Sequence, residues 1–502
     1  MSKTITLTAK DFIQGLSPTQ NTNNKIGGVF AATNSIDVFR FPGQICPGPA
    51  GTTMPSDAGP IPETVYNLKY IDGGTMGGFM LGASHLYRIL SGRIQASPHA
   101  FSGASASLAH GIIRGRTPAD GDGVFYFTDT DFGFWAKVAN TYTDNWGSTI
   151  PTGAGTLNTG YVHRTATLLD IIYNTNASFS NGNMTIGTYD FTTGANGTLN
   201  LTRFQLPTGC YATDIKAVNG KIEIYITNGY RASVIIWDGT SILPDSITDI
   251  DDTTILAATT GDGVPYLITS GNTSGISIRQ KDYYGYSQVQ NIQEFGTNTT
   301  ITPSHVVAAN AQLFIGDAAR SYIYSYGTPY GDYSYRGTEN TGTFPAIFQN
   351  FIKTPGNVRC MDIFTGSLTV VCANGSGSTV QTYPLTGYTT YNNSGSFFQT
   401  NFIDLPDDAV IEQLVFYVQP PTGTYAFTPS LFTDMQGGAA TWTAPSDVKL
   451  GNMDANGNSK TYYDLGIFAD NFALSGAWPN CPDSNGTIIT HRIDVVYTSP
   501  SS

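Results

Sequence analysis

The chain is poor in charge, in helical pattern and in sulfur chemistry. Only 12% of its residues are charged, against roughly a quarter in an ordinary globular domain. No long stretch places apolar residues at helical spacing, which excludes a helical bundle. No run of 18 apolar residues exists, so no membrane insertion is expected. The five cysteines (Cys46, Cys210, Cys360, Cys372 and Cys481) are scattered, with no CxxC and no Cys/His spacing that suits zinc. They read as small buried apolar residues in a reducing compartment. The opening MSKTITLTAKDF has no apolar core of signal-peptide length, so synthesis in a cytoplasm is expected. HExxH, GxSxG, a Walker loop and GxGxxG in a βαβ setting are all missing. A formal net charge of −13 argues against sequence-specific nucleic-acid binding, which needs clustered Lys and Arg on phosphates. A negative wall would suit a conduit through which DNA slides; ordinary acidic solubility is the plainer reading.

What is abundant points one way. Gly (56), Tyr (29) and Phe (27), with much Thr, Ser and Asn, favour hairpins and short strands, so the class is all-β. The clearest unit is Asp214–Gly239, DIKAVNGKIEIYITNGYRASVIIWDG. An apolar run leads to Asn219-Gly220, an alternating strand (Ile222, Ile224, Ile226), a turn at Asn228-Gly229 and a strand Val234–Trp237. Asn-Gly accepts the positive φ of tight hairpins, which makes this a three-stranded meander with a fourth strand outside it. The same order recurs from Asp362, DIFTGSLTVVCANGSGSTVQTYPLTG. Further units open near Val65, Leu108, Ala166, Thr254 and His305, at spacings around the ~40–50 residues of propeller blades. Roughly seven blades are expected, with neither the Gly-His…Trp-Asp pairing of WD40 repeats nor repeated Asp boxes; Asp129–Trp135, DTDFGFW, is one degenerate relative of the latter.

Three regions follow: an N-terminal arm (1–62), a β-propeller (63–400) and a C-terminal β-sandwich or jelly roll (401–502). A propeller leaves an open edge unless a strand closes the ring. Val29–Phe41 is the favoured closing strand, with Ser396–Ile403 as the alternative. The sandwich strands are expected at Ile411–Val418, Tyr425–Phe432, Ala440–Thr443, Lys460–Ile467 and Ile488–Tyr497, the last an inner strand.

Candidate chemistry is sparse. Six histidines stand singly, and His110 and His305, at the starts of unit strands, read as structural. Asp249, Asp251 and Asp252, in the acidic run Asp245–Asp252, have the oxygen density of a calcium site; a solvated loop between blades is the plainer reading. The stretch 454–458, DANGN, lacks the downstream Glu of a calcium loop and reads as a turn. A propeller can gather distant acids at its axis, here Asp129, Asp131, Asp170, Asp214 and Asp362, as a glycosidase requires. Asp214 and Asp362, however, hold matching repeat positions and read as packing residues. Tyr283, Tyr284, Tyr286, Tyr330, Tyr333 and Tyr335 form a tyrosine-dense region suited to a protein interface or to stacking on a host-surface glycan. Tyr322, Tyr324 and Tyr326 alternate on one strand face, where sheet packing accounts for them equally well. Catalytic, metal and cofactor sites are expected to be absent, and the chain is not expected to be an enzyme.

The stretch Gly27–Pro49 carries a resemblance. A glycine-led strand followed by SIDVFRFPGQICPGP and then by repeated β-units is similar to the N-terminal region of bacteriophage tail hub (nozzle) proteins and related virion propellers. In those, an early strand and a Phe-Pro-Gly turn (here Phe41, Pro42 and Gly43) lead into the propeller. The resemblance implies a virion tail location, a ring-shaped homo-oligomer, contacts to adaptor or fibre proteins and a channel for DNA ejection. The long insertions of larger nozzle proteins are missing here. A carbohydrate- or receptor-binding propeller is the alternative, and a glycoside hydrolase the least favoured.

Overall fold

A computed structural model describes residues 2–7, 30–38, 45–71, 76–102, 111–117, 120–128, 132–144, 157–162, 168–174, 184–190, 198–205, 210–218, 221–237, 242–261, 264–271, 275–283, 285–292, 300–309, 312–327, 347–385, 388, 391–392, 395–419, 427–433, 440–444, 459–478 and 489–499. For 157–162, 168–174, 184–190, 198–205 and 242–246 it describes the backbone alone. Strands dominate, and the one helical turn among the described residues is Pro303–His305. No helix in them is long and apolar enough to cross a membrane.

Among the described residues, seven antiparallel sheets follow one another along the chain, each opening on a strand that pairs on one side only. Their first strands are Val65–Ile71, Ile112–Thr117, Leu157–Val162, Tyr211–Val218, Thr254–Gly261, Val306–Ala309 and Val358–Phe364. Each first strand packs beside the next, and Val358–Phe364 packs beside Val65–Ile71, so the seven form a closed ring around an axis. This is a β-propeller. The second strands lie between neighbouring sheets and are buried on both faces: every residue of Gly77–Gly82 is buried, and all of Lys221–Thr227 but Lys221. Covering both faces of a sheet replaces alternation with continuous apolar runs. The third unit opens earlier than Ala166, because Leu157–Val162 (LNTGYV) is too polar to read as a strand from its pattern.

The closing strand is not Val29–Phe41. Thr52–Thr53 pairs with Thr382 and Gln381 on the outer edge of the seventh sheet. Met54 N–H donates to Val380 O at 2.9 Å, and Ile61 bridges Ser378 further along. Phe30–Asn34 pairs instead with Ser396–Thr400, the other closing candidate, inside the C-terminal sandwich. The sandwich therefore reaches back before residue 401 and takes strands from the arm. One of its sheets orders Ser2–Leu7, Ile489–Thr498, Val410–Gln419 and Ser459–Phe468; the other contains Phe30–Asn34, Ser396–Thr400, Asn471–Trp478, Thr428–Phe432 and Trp442–Thr443. Ile489–Thr498 is an inner strand, flanked on both sides.

The arm joins the two bodies. Ile36–Asp37 pairs with Cys46–Pro47, and Ile36, Val38, Ile45 and Cys46 are fully buried. One apolar core runs from the sandwich (Phe416, Phe472, Trp478) through Ile36, Val38 and Ile45 of the arm to Ile268, Leu313 and Tyr324 of the fifth and sixth sheets.

Candidate functional site

Five of the seven first strands carry a register shift near their start: Val65/Asn67, Leu157/Thr159, Ala212/Asp214, Ile255/Ala257 and Val358/Cys360. Such bulges twist a strand and re-aim the side chains beyond them. Six first strands, Val65–Ile71, Ile112–Thr117, Tyr211–Val218, Thr254–Gly261, Val306–Ala309 and Val358–Phe364, wall an axial cavity of about 480 Å3, lined among others by Asn67, Lys69, Asp214, Lys216, Thr260 and Asp362.

Asp362 is buried at the seam where the ring closes. Its Oδ1 lies 3.0 Å from Lys69 Nζ, and its Oδ2 accepts the Tyr70 N–H at 2.7 Å. Tyr70 stacks on Phe364, with centroids 4.6 Å apart, and its hydroxyl is 3.2 Å from Thr369 Oγ1. One carboxylate thus ties the seventh sheet to the first. Asp214 sits across the ring on the fourth sheet. Its Oδ1 accepts the Ile215 N–H at 2.8 Å, and Oδ2 lies 3.0 Å from Lys216 Nζ without hydrogen-bond alignment. Burial pushes its carboxyl above the ordinary range, opposed by the ammonium groups of Lys216 and, across the axis, Lys69.

The axis therefore gathers two of the five predicted acids. Asp129 and Asp131 lie outside the described residues. Asp170 is on the second strand of its sheet, opposite Tyr161 and Thr188, away from the strands that wall the axis. Asp214 and Asp362 do not hold matching positions. Each first strand ends in a last cross-strand pair, Val218–Lys221 or Phe364–Ser367, and Lys216 and Asp362 each precede it by two residues. Lys69 has that place relative to the Ile71–Gly77 pair. Aligning the units on Asp-Ile shifts them by two residues and hides the lysines. Their signal is readable afterwards as LKYI and IKAV, a lysine two residues short of the turn in both. Chemically, each acid already has an ammonium partner, so neither is the unencumbered base or nucleophile that glycoside hydrolysis needs.

The tyrosine region divides. Tyr286 is buried and donates its O–H to Glu223 Oε2 at 2.6 Å, so it is not a stacking surface. Glu223 is itself buried, accepts Tyr225 O–H at 3.0 Å and pairs with Lys281. Tyr283 is 94% exposed. Tyr284, Tyr330, Tyr333 and Tyr335 lie outside the described residues. Tyr324 and Tyr326 are buried in the core.

The acidic run divides: Asp245–Ile250 belong to Ile242–Ile250, the outer strand of the fourth sheet, with Pro244 tolerated on an edge, and Asp251 and Asp252 lie in the bend that leads to the fifth sheet, where a connecting loop is expected. Asp249 pairs with Arg231 at 2.7 Å and accepts from Ser233, while Asp252 accepts from Arg279 at 2.8 Å and from Thr269. Those carboxylates turn toward different arginines, and among the described residues no three His, Cys, Asp or Glu side chains converge as metal ligands. His305 is structural: Thr302 N–H donates to Nδ1 at 3.1 Å and Nε2 faces Val358 O at 3.2 Å. His110 lies outside the described residues. The DTDFGFW stretch supplies Trp135, buried under Arg88 at 4.2 Å and beside Phe79, as packing between the first two sheets.

No family model and no curated protein matches the chain. Solved structures do. The extracellular domain of a hybrid two-component system from B. thetaiotaomicron is 10% identical over 82% of this chain, at a TM-score of 0.42; the chain spans about half (51%) of that domain's length. The Dos1 propeller is 12% identical, with 65% of this chain and 79% of that one covered, at a TM-score of 0.40. A soluble aldose sugar dehydrogenase from Escherichia coli is 11% identical, with 67% and 99% covered, at 0.38. A glycoside hydrolase family 43 arabinoxylan arabinofuranohydrolase from Bacillus subtilis is also among the matches, 10% identical with 88% of this chain and 99% of that one covered, at 0.28. Likeness at this level transfers no chemistry.

Proposed function

We propose that the chain is a structural subunit of a bacteriophage virion tail, of the hub or nozzle kind, which works by assembling into a ring and contacting other tail proteins. The observation that carries this reading is the arm. The described parts of its resemblance-bearing stretch, 30–38 and 45–49, are buried or half-buried and bonded to both bodies, while Phe41, Pro42 and Gly43 lie outside the described residues. Ile45 exchanges both backbone hydrogen bonds with Thr490 of the sandwich, at 2.7 and 3.0 Å. Asn350 Nδ2, on the sixth propeller sheet, donates to Thr33 O at 3.3 Å. Tyr388 O–H donates to the buried Asp37. A Cβ at Gly48 would lie 2.3 Å from Phe351 O, so only glycine lets the arm approach that sheet. Propeller, arm and sandwich thus share one apolar core and a set of backbone bonds, a continuity that suits assembly. The paired axial acids and the acidic net charge agree with it.

The test is the mass and shape of the purified chain by mass photometry and negative-stain imaging. Rings at integer multiples of 53.7 kDa are expected. A chain that stays monomeric at micromolar concentration and binds an immobilised glycan would overturn the reading in favour of a receptor-binding propeller.

A further inference from the structure

The axial cavity has a composition that ring assembly does not use. With seven sheets in the ring, the fourth lies opposite the seam between the seventh and the first. The pairs Lys216–Asp214 and Lys69–Asp362 therefore face each other across the axis. The Lys69 ammonium is near enough to act on Asp214 from the opposite wall. Between them the inner edges of the first strands border the axis, and among the described residues no sheet pairs one first strand with the next, so backbone N–H and C=O groups line the wall. Asn67 and Thr260 add side-chain donors and acceptors, and Ile112 and Met361 add apolar wall.

Two features select the ligand class. First, each charge on the wall has an opposite partner, so the cavity presents no net charge to an anion or a cation. Second, it presents both donors (Lys69, Lys216) and acceptors (Asp214, Asp362), and both lysine side chains remain partly exposed (48% and 39%), each ammonium carrying three N–H donors. A molecule with many hydroxyl groups, each able to donate and accept, matches such a wall. At about 480 Å3 the space falls within the about 300–1,000 Å3 of small-molecule sites. We propose that the axial cavity binds a small neutral polyhydroxylated molecule of mono- or disaccharide size, held between the Lys69–Asp362 and Lys216–Asp214 pairs.

The test is isothermal titration of the full chain with D-glucose, maltose and trehalose, alongside inorganic phosphate as an anionic probe. At least one sugar is expected to bind. Lys216→Met, and independently Thr260→Phe at the exposed rim, should each weaken it at least tenfold; Lys216→Met also lowers the urea midpoint by stranding the buried Asp214, whereas Thr260→Phe leaves it unchanged and so separates a lost contact from a fold defect. Silence from all three sugars overturns the proposal, as does phosphate binding without sugar binding. So does a sugar affinity that Tyr283→Ala abolishes and both axial variants preserve, which would place the site on the outer tyrosines. Ring formation, read separately by mass, succeeds or fails independently of these outcomes.

Discussion

His305 shows what a single side chain can decide in a fold with so little charge. It is neutral because burial, the largest influence, pulls its pKa down to about 4 from 6.5, while Val358 O and Asp317 pull the other way. With Nδ1 accepting from Thr302 N–H, the remaining proton sits on Nε2 and donates to Val358 O, linking the sixth sheet to the seventh. The unfolded chain takes up this proton near pH 6.5 and the folded one near 4, so the unfolded state binds more protons between those values. Stability from this group is complete above 6.5 and is lost as pH falls toward 4. At pH 5 the loss relative to pH 7.5 is about 2 kcal/mol. Urea midpoints at both pH values should show it in the parent and not in His305→Gln; equal pH slopes would refute the assignment. Its structural role was legible from its isolation and its place before a strand. The role of Tyr286 was not, because an aromatic cluster in a sequence does not say which rings have a buried acceptor. Removing the hydroxyl in Tyr286→Phe leaves the buried Glu223 short of a donor and should cost about 1–3 kcal/mol. Tyr283→Phe, at a 94% exposed site, should leave the urea midpoint in place. Equal midpoints for both variants would remove Glu223 from the list of groups holding the fourth and fifth sheets together.

At the scale of elements, strand positions were legible and partnerships were not. Alternation placed Val410–Gln419, Thr428–Phe432, Ser459–Phe468 and Ile489–Thr498 within a few residues of their bounds. It missed Asn471–Trp478, whose small residues blur the pattern. It also named the wrong closing strand. Phe30 packs on Phe398 at 5.7 Å between centroids and belongs to the sandwich core, whereas closure is done by Thr52–Thr53, too short and too polar to stand out. A strand's period says which faces it buries, not which edge it joins. The closing contact is testable at Met54, 7% exposed, whose N–H holds Val380 O. Met54→Pro removes that donor and a buried side chain, and should destabilise by about 3 kcal/mol or more. Hydrogen exchange should then rise first along Gly377–Pro384 and leave Val410–Gln419 protected. Uniform loss of protection would mean that closure is not a local event.

At the scale of the whole molecule, the repeat made the propeller legible, while the long-range threading of the arm left no mark on it. Residues 2–7 reach Ile489–Thr498 at the far end of the chain, and Phe30, Ile36, Val38 and Ile45 bridge the sandwich core to the fifth and sixth sheets. Two bodies that share one apolar core lose part of each other's buried surface when either opens, at roughly 25 cal/mol per Å2. They should therefore unfold together, giving a single calorimetric transition for the full chain, where independent domains would give two. Truncation sharpens the same point. Removing 489–502 takes out a strand flanked on both sides and buries a mismatch between Ser2–Leu7 and Val410–Gln419, neither of which was the other's partner. Ile493 and Val495, fully buried, go with it. The truncated chain should lose the propeller's transition as well as the sandwich's, seen as insolubility or as one broad transition at much lower temperature. Removal of 500–502 alone should change neither. A truncated chain that kept a sharp, unshifted propeller transition would separate the two bodies and, with them, the rigid subunit on which ring assembly depends.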